Sequence, residues 1–256
     1  MENDILVSEH NDVLFVTLNR PDRRNALSDG VLDQLLDLTT TIEDGLRAVV
    51  IRGAGGIFCA GGDIKQFKSA LQGAPAADIA RYNRRYGTVL RNLGALPVPV
   101  IAAVEGAAIG GGMGLAAIAD ITIAERGATF ALTETTLGLP PAQICAFVVA
   151  RIGAPQARRL MLTAARFGAD EAIRIGLVDE VAGDVDAALD AVLQRIRRCG
   201  PAANAMTKRL VAAAAEYPLD AFLDHAADQF AKAMLAPEAR EGVQAFLDNR
   251  KPVWAA

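Results

Sequence analysis

Hydrophobic and polar positions along the chain predict short strands that alternate with helices. Apolar runs rich in β-branched residues predict strands at 5–8, 13–18, 47–52, 98–104 and 121–124. The polar residues 10–12 between the first two runs indicate a hairpin turn. Ser28 is placed to cap a helix whose apolar side chains fall largely on one side, at Val31, Leu32, Leu35, Leu36 and Leu38.

A strand, a glycine-rich loop and a helix follow one another twice. The strand at 47–52 leads into a loop that turns helical near Asp63, and the strand at 98–104 leads into a glycine run and a helix at 110–117. This order predicts an α/β fold built from stacked ββα units. Residues 68–77 are small and polar, which indicates a mobile lid before an arginine-rich helix at 81–93 with a solvated face.

From Pro155 onward the pattern is mostly helical. Gly200 and Pro201 interrupt it and suggest a boundary between a core of residues 1–200 and a C-terminal helical segment of residues 201–256. Since that segment is rich in alanine and leucine, we expect it to pack on a neighbouring subunit. Helices are predicted at 155–164, 169–175, 185–198, 202–215, 219–235 and 237–246.

Composition excludes several classes of protein. A net charge of −4 gives no basic signature for binding nucleic acid. The N-terminus has no apolar signal core, and no apolar run approaches the roughly 20 residues that span a bilayer, so we expect a soluble, cytoplasmic protein. Three separated cysteines and two separated histidines offer no disulfide framework and no metal site. We therefore expect neither a metal nor a permanently bound cofactor.

Two glycine runs, Gly61-Gly62 and Gly110–Gly112, carry the candidate chemistry. Glycine lets a ligand approach the backbone closely, and a run that opens a helix presents free N–H groups that favour negative charge. Two such amides that converge on one point form an oxyanion hole. A pair of tight turns is the structural alternative. Neither run matches a phosphate-binding loop or a dinucleotide fingerprint.

Five motifs in order resemble the enoyl-CoA hydratase/isomerase (crotonase) family over nearly the whole chain. The resemblance implies a right-handed spiral of ββα units with a C-terminal helical extension, a coenzyme A thioester as substrate, and homotrimers or hexamers of two trimers. The motifs are NRPDRRNAL at 19–27, FCAGGDIK at 58–65, VEGAAIGGGMGL at 104–115, ADITI at 119–123 and FALTETTLGL at 130–139, with further similarity at 168–179 and 241–251.

The resemblance also assigns roles to individual positions. Gly62 and Gly111 match the residues that supply the two oxyanion amides. Lys251 matches a basic residue that some members offer to the nucleotide phosphates, in some cases across a subunit boundary. For Lys65 and Lys251, a solvated lysine is an equally open alternative. Residues that match the lining of the coenzyme A arm are Arg24, Ala26, Ala60, Asp63, Ile64 and Lys65.

Two glutamates lie at the reacting carbons in the hydratases of this family. Glu134 matches the second of them, although by itself it could equally be a helix N-terminal residue stabilised by the dipole. Gly114 stands at the place of the first. Because positions 111 and 114 share a helix face, we expect Gly114 to leave open space beside the substrate carbonyl where other members place a carboxylate.

Residues 137–151, Gly114 and residues 197–208 resemble the branch that hydrates branched glutaconyl-CoA esters. That branch includes the hydratases of isohexenylglutaconyl-CoA, from acyclic terpene breakdown, and of methylglutaconyl-CoA, from leucine breakdown. The implied reaction is water addition to an α,β-unsaturated thioester. A Δ3-Δ2 enoyl-CoA isomerase needs only one carboxylate and remains an alternative. A non-catalytic protein that binds CoA esters is a further one, disfavoured because Glu134 and both oxyanion glycines are present.

Overall fold

The computed structural model describes residues 3–42, 45–65, 68 and 72–255. Its strands are β1 (Ile5–His10), β2 (Val13–Leu18), β3 (Ala48–Gly53), β4 (Val100–Val104), β5 (Ala107–Ile109), β6 (Ile121–Glu125), β7 (Thr129–Ala131), β8 (Phe167–Gly168) and β9 (Glu180–Ala182). Its helices are α1 (Asp29–Thr41), α2 (Ala76–Gly94), α3 (Gly111–Ile118), α4 (Ile144–Thr163), α5 (Ala169–Arg174), α6 (Val185–Arg197), α7 (Pro201–Glu216), α8 (Leu219–Leu235) and α9 (Pro237–Leu247).

The larger sheet has the order β1-β2-β3-β4-β6-β9. Strands β1 and β2 form the predicted antiparallel hairpin, and all later pairs are parallel. Asn11 and Asp12 connect the hairpin, both with φ in the left-handed region, which suits a tight two-residue turn. Ser28 caps α1 as predicted, because its hydroxyl accepts a hydrogen bond of 3.3 Å from the Val31 amide.

A second, smaller sheet has the order β5-β7-β8 and defines the spiral. Strand β4 in the large sheet is followed by β5 in the small sheet and then by α3, and β6 is followed in the same way by β7. Cys59, which follows β3, forms a bridge with Ala108 of β5. The chain therefore passes from the large sheet to the small sheet after β3 as well, one turn of the spiral before β4 and β5. The α/β class and the ββα order predicted from the sequence are therefore present.

Strand β3 explains why the central strands are continuous apolar runs. Its side chains alternate between two cores: Val49 and Ile51 pack with α1, α2 and α3, whereas Ala48 and Val50 pack with α6. Both faces of the parallel sheet are thus covered by helices, so the consecutive positions 48–51 of this strand are all hydrophobic. The core fixes the carboxyl ends of β3 and β4, from which both glycine loops emerge.

Other parts differ from the sequence-based expectation. Helix α4 begins at Ile144, eleven residues before the helix predicted from Pro155, and it contains a kink at Gly153, where φ is 75°. Strands β5, β7, β8 and β9 were not predicted, because two or three residues are too few to show a period of two. The proposed lid at 68–77 lies partly outside the described residues, and α2 already begins at Ala76.

The C-terminal helices lie on the surface of the chain. Neither α7 nor α8 has a buried residue. Arg47 ties this region to the amino end of β3, since its guanidinium donates to the carbonyls of Cys199 and Trp254. None of the helices that the structure describes is long and apolar enough to cross a membrane. Exposed apolar side chains in the region are Val211, Leu219, Leu223, Phe230, Met234, Leu235, Val243, Phe246 and Leu247.

Candidate active site

The loop before α1 is fastened to the first glycine loop by two polar side chains. Buried Asn25 donates through its amide to the carbonyls of Ala54 and Ile57, at 2.9 and 2.6 Å. Arg20 donates to the Ala26 carbonyl at 2.6 Å and forms an ion pair with Asp63 at 3.2 Å. Because these contacts join segments about 30 and 40 residues apart, they hold the first glycine loop in one place.

A parallel bridge between Leu27 and Gly62 sets the direction of the Gly62 amide. Leu27 donates to the Gly61 carbonyl at 2.8 Å and accepts from the Asp63 amide at 3.1 Å. In an extended segment successive amides point to opposite sides, so the Gly62 N–H faces away from Leu27. No described residue accepts a hydrogen bond from it. This amide is available to a ligand.

The second glycine loop lies directly against the first. Cys59 exchanges backbone hydrogen bonds of 2.9 Å with Ala107 and Ile109. A Cβ atom on Gly61 would lie only 3.6 Å from the amide nitrogen of Gly111. Gly111 is the first residue of α3, so its N–H has no acceptor within the helix, and no other described residue accepts from it. Two free amides from the two loops are therefore close neighbours.

Gly110 needs to be glycine for two reasons. Its φ of 52° and ψ of −117° strain any residue with a side chain. A Cβ atom at this position would also lie 2.8 Å from Oε1 of Glu134. The Gly110 amide donates to the Ala131 carbonyl at 2.8 Å, which joins the start of α3 to the end of β7. This pairing brings Glu134, three residues after β7, to the second glycine loop.

Glu134 is the first residue of a short 3-10 helix (Glu134–Leu137). Its Oε2 atom is buried and has no hydrogen-bond partner among the described residues. Burial raises the pKa of the carboxyl above its usual range, and a hydrogen bond from its own backbone amide partly offsets that effect. A half-buried carboxylate with one buried, unpartnered oxygen and a raised pKa is suited to accept and return a proton.

The expectation that Gly114 leaves open space was wrong. A Cβ atom there would lie 2.6 Å from Cγ2 of Ile144 and 3.0 Å from the hydroxyl oxygen of Tyr86. Gly114 is buried, and these two side chains fill the volume that the sequence interpretation assigned to the substrate. Position 114 does carry no carboxylate, as expected, but the space is occupied by neighbouring protein side chains and is not open to a substrate.

Tyr86 is a site residue that the sequence reasoning missed. Its hydroxyl donates a hydrogen bond to the Gly111 carbonyl, and its ring would lie 3.5 Å from a Cβ atom at position 111. Burial raises the pKa of the phenol well above its ordinary value, and the neighbouring charge of Glu134 adds to the effect. The segment RYNRRYG suggested only a solvated helix face, although its two tyrosines are four residues apart and so share one face, which was a usable signal of an inward side.

Comparison with known proteins decides the family. The family model described as enoyl-CoA hydratase/isomerase matches residues 8–256. The chain belongs to this family. It is 34% identical to 1,2-epoxyphenylacetyl-CoA isomerase of Escherichia coli (97% of each chain) and 32% identical to 2,3-dehydroadipyl-CoA hydratase of the same organism (98% of each). The solved structure of Pseudomonas aeruginosa AtuE is similar, with 47% identity, a TM-score of 0.96, and coverage of 99% of this chain and 100% of that one.

Full-length similarity to this and other solved structures confirms the predicted fold, including the spiral and the helical C-terminal region. A second such structure, from Marinobacter aquaeolei, is 42% identical with a TM-score of 0.94 and 99% of each chain covered. Members of the family process acyl-CoA esters, which agrees with two free amides beside a buried carboxylate.

Most of the residues expected to line the coenzyme A arm lie together at one rim. The Arg24 carbonyl accepts from the Ala60 amide at 2.9 Å, and Asp63 accepts from the Lys65 amide at 3.1 Å. The side chain of Ile64 is 58% exposed, so it offers apolar surface beside the first glycine loop. With Ala26 held by Arg20, these residues form a continuous edge next to Gly62.

Lys251 is not part of that edge within one chain. It is exposed, and Trp254, three residues later, accepts from Arg47 at the amino end of β3. Both glycine loops lie at the carboxyl ends of β3 and β4. Lys251 therefore lies at the opposite end of the sheet from its own glycine loops, and a role toward nucleotide phosphates remains a prediction that involves a neighbouring subunit.

Proposed function

We propose that this protein hydrates an α,β-unsaturated acyl-CoA thioester. The amides of Gly62 and Gly111 bind the thioester oxygen, and Glu134 is the acid/base. The observation that carries the proposal is the buried, unpartnered Oε2 of Glu134 beside two glycine loops whose amides are free. Coenzyme A enters as part of the substrate, so the reaction needs no permanently bound cofactor.

The proposed reaction uses one carboxylate twice. Glu134 removes a proton from water as the water oxygen bonds to the β-carbon, and the double-bond electrons move to the thioester oxygen. The amides of Gly62 and Gly111 stabilise that enolate oxygen. The protonated Glu134 then delivers the same proton to the α-carbon, and the carbonyl re-forms. A raised pKa supports the second step, because it makes the carboxylic acid easier to populate.

A Δ3-Δ2 enoyl-CoA isomerase is the second candidate. Position 114 carries no carboxylate, and a relative of similar identity over the whole chain is an isomerase by name. The purified protein should be assayed with crotonyl-CoA, a 3-enoyl-CoA and branched glutaconyl-CoA esters. A product heavier by one water supports the hydratase, whereas a 2-enoyl product of unchanged mass from the 3-enoyl ester supports the isomerase. Binding with neither product would leave a CoA-ester binding protein.

For the substrate we propose a branched glutaconyl-CoA ester, of which isohexenylglutaconyl-CoA is an example. Such an ester carries a distal carboxylate, and Gly114 adds no second negative charge near Glu134 that would repel it. The hydratase of 2,3-dehydroadipyl-CoA, also a diacid ester, is a full-length relative. Arg84 is our candidate for the cation that binds this carboxylate: its exposed guanidinium donates through Nη1 to the Thr88 hydroxyl at 2.9 Å, and no described carboxylate pairs with it.

Arg84→Met is expected to raise KM for the glutaconyl ester by about 10- to 100-fold and to leave KM for crotonyl-CoA unchanged. A charge-assisted hydrogen bond of this kind contributes about 1.5–3 kcal/mol. Arg81→Met is the matched control, since Arg81 lies on the same helix but pairs with Asp78. Steady-state kinetics with both esters provide the measurement, and an equal change for both would remove Arg84 from substrate selection.

The rate of hydration should fall on the acid side at a pH above the usual range of a glutamate. The carboxylate form of Glu134 is the active base, and burial raises its pKa. As the pH falls through that raised pKa, protonation removes the base. The profile of kcat/KM against pH measures this limb. If the residual activity of Glu134→Gln shows the same fall of kcat/KM at acid pH, a group other than Glu134 is responsible for that fall.

We also propose that residues 201–256 form the subunit contact of a homotrimer, or of a hexamer of two trimers. The exposed apolar side chains of α7, α8 and α9 support this assignment, because a patch of that extent is typical of an interface. Sedimentation equilibrium of the wild type measures the assembly directly. A monomer at micromolar concentration would contradict it.

A further inference from the structure

Position 114 matches the place of the first of the two glutamates in the family's hydratases, and here a tyrosine from another helix approaches the same point. The hydroxyl oxygen of Tyr86 lies 3.0 Å from the place where the first side-chain atom of residue 114 would be. Tyr86 comes from α2, which packs against α3. A polar atom thus stands where the missing side chain would begin.

The hydrogen bonds of Tyr86 determine what its hydroxyl can do. Its single proton is donated to the Gly111 carbonyl, so the oxygen has only lone pairs left for another partner. Burial raises the pKa of the phenol well above its ordinary value, so it stays neutral during the reaction. In this arrangement Tyr86 is an acceptor and not an acid.

Glu134 and Tyr86 both contact the second glycine loop. Oε1 of Glu134 would lie 2.8 Å from a Cβ atom on Gly110, and Tyr86 is bonded to the next residue, Gly111. Two acceptors, one charged and one neutral, therefore lie beside consecutive residues of the loop that carries the free Gly111 amide.

We infer that the Tyr86 hydroxyl oxygen holds the attacking water by accepting one of its hydrogens, while Glu134 accepts and removes the other. Tyr86 thereby replaces the absent glutamate as the second water-binding group. Water has two hydrogens, and fixing both directs a lone pair of its oxygen at the β-carbon. This inference rests on the hydratase function proposed above. The role requires no proton transfer to or from Tyr86.

Tyr86→Phe tests this role with two reactions. Hydration should lose about 3- to 10-fold in kcat with KM nearly unchanged, because one neutral hydrogen bond to the nucleophile is lost. Exchange of the α-protons of butyryl-CoA in deuterium oxide should stay within about twofold of wild type, since that reaction uses Glu134 and the oxyanion amides but no attacking water. Retained exchange also shows that the variant folds. Tyr82→Phe removes a hydroxyl one turn earlier on α2 and should leave both rates unchanged.

The outcomes separate this inference from the function on which it rests. If the Tyr86→Phe variant hydrates the ester at the wild-type rate, the inference is overturned. Equal loss of hydration and exchange also overturns it, because Tyr86 would then only hold the Gly111 loop in place. A wild type that exchanges α-protons but hydrates no ester in the panel defeats the hydratase proposal itself, and the water-holding role fails with it.

Discussion

Glu134→Gln should lower kcat for hydration by about 10²- to 10⁴-fold and leave the affinity for CoA esters nearly unchanged. Glutamine keeps the shape of the side chain, so the glycine loops and the coenzyme A rim are preserved. It cannot take a proton from water or return one to the α-carbon, and a positioned acid/base contributes about this factor. Steady-state kinetics give kcat, and titration with a non-reactive CoA thioester gives Kd.

The same variant should melt at a higher temperature than wild type at neutral pH. The folded-state pKa of Glu134 is raised, so the stability that its protonated form contributes is lost as the pH rises through that pKa. At neutral pH the charged carboxylate, with an unpartnered oxygen, therefore destabilises the fold, and glutamine removes that charge. Glu216→Gln, on an exposed position of α7, is the control for loss of one charge.

The kinetic result decides the role of Glu134. If Glu134→Gln retains a tenth or more of the wild-type hydration rate, Glu134 is not the principal acid/base.

Local patterns in the sequence were sufficient for the elements that need no distant partner. The Ser28 cap and the turn at Asn11-Asp12 depend on residues within a few positions of each other. The helices α6 to α9 end within two residues of their predicted bounds for the same reason. The short strands β5 and β7 depend instead on each other and on Cys59, which lies about 50 residues before Ala108, so no local period reports them.

In the candidate site, too, some features could be predicted from the sequence and others could not. Gly62, Gly111 and Glu134 were located by resemblance to family motifs, and the structure brings their three loops together through the Cys59–Ile109 and Gly110–Ala131 hydrogen bonds. Resemblance to motifs could not show whether the space beside Gly114 is empty or filled. Whether a missing side chain leaves space depends on its neighbours in three dimensions.

At Gly114 those neighbours are Tyr86 and Ile144, each about 30 residues away along the chain. Arg20 was overlooked for a related reason. It lies within a motif that was read as a loop around coenzyme A, but its contacts with Asp63 and Ala26 give it a structural role. In both cases the residue acts through a tertiary contact that a single sequence does not encode locally.

Gly111→Pro is expected to lower kcat by about 10²- to 10³-fold relative to Gly111→Ala. Proline removes the N–H that we propose for the oxyanion hole, and loss of one such donor costs roughly 2.7–4 kcal/mol in other enzymes. Gly111 is the first residue of α3, a position at which proline suits the helix and breaks no helical hydrogen bond. The comparison therefore removes a donor with little change to the backbone.

Alanine is the matched control because it adds the same Cβ atom and keeps the amide. That atom would lie 2.8 Å from Cδ1 of Leu27, a terminal methyl that can rotate away, and 3.5 Å from the Tyr86 ring. Any steric effect on Leu27 or Tyr86 is thus common to both variants, and the ratio of their rates isolates the N–H group. Thermal melts should show both variants folded. If the folded proline and alanine variants turn over equally, the Gly111 amide does not stabilise the enolate oxygen, and that charge must rest on Gly62 and other donors.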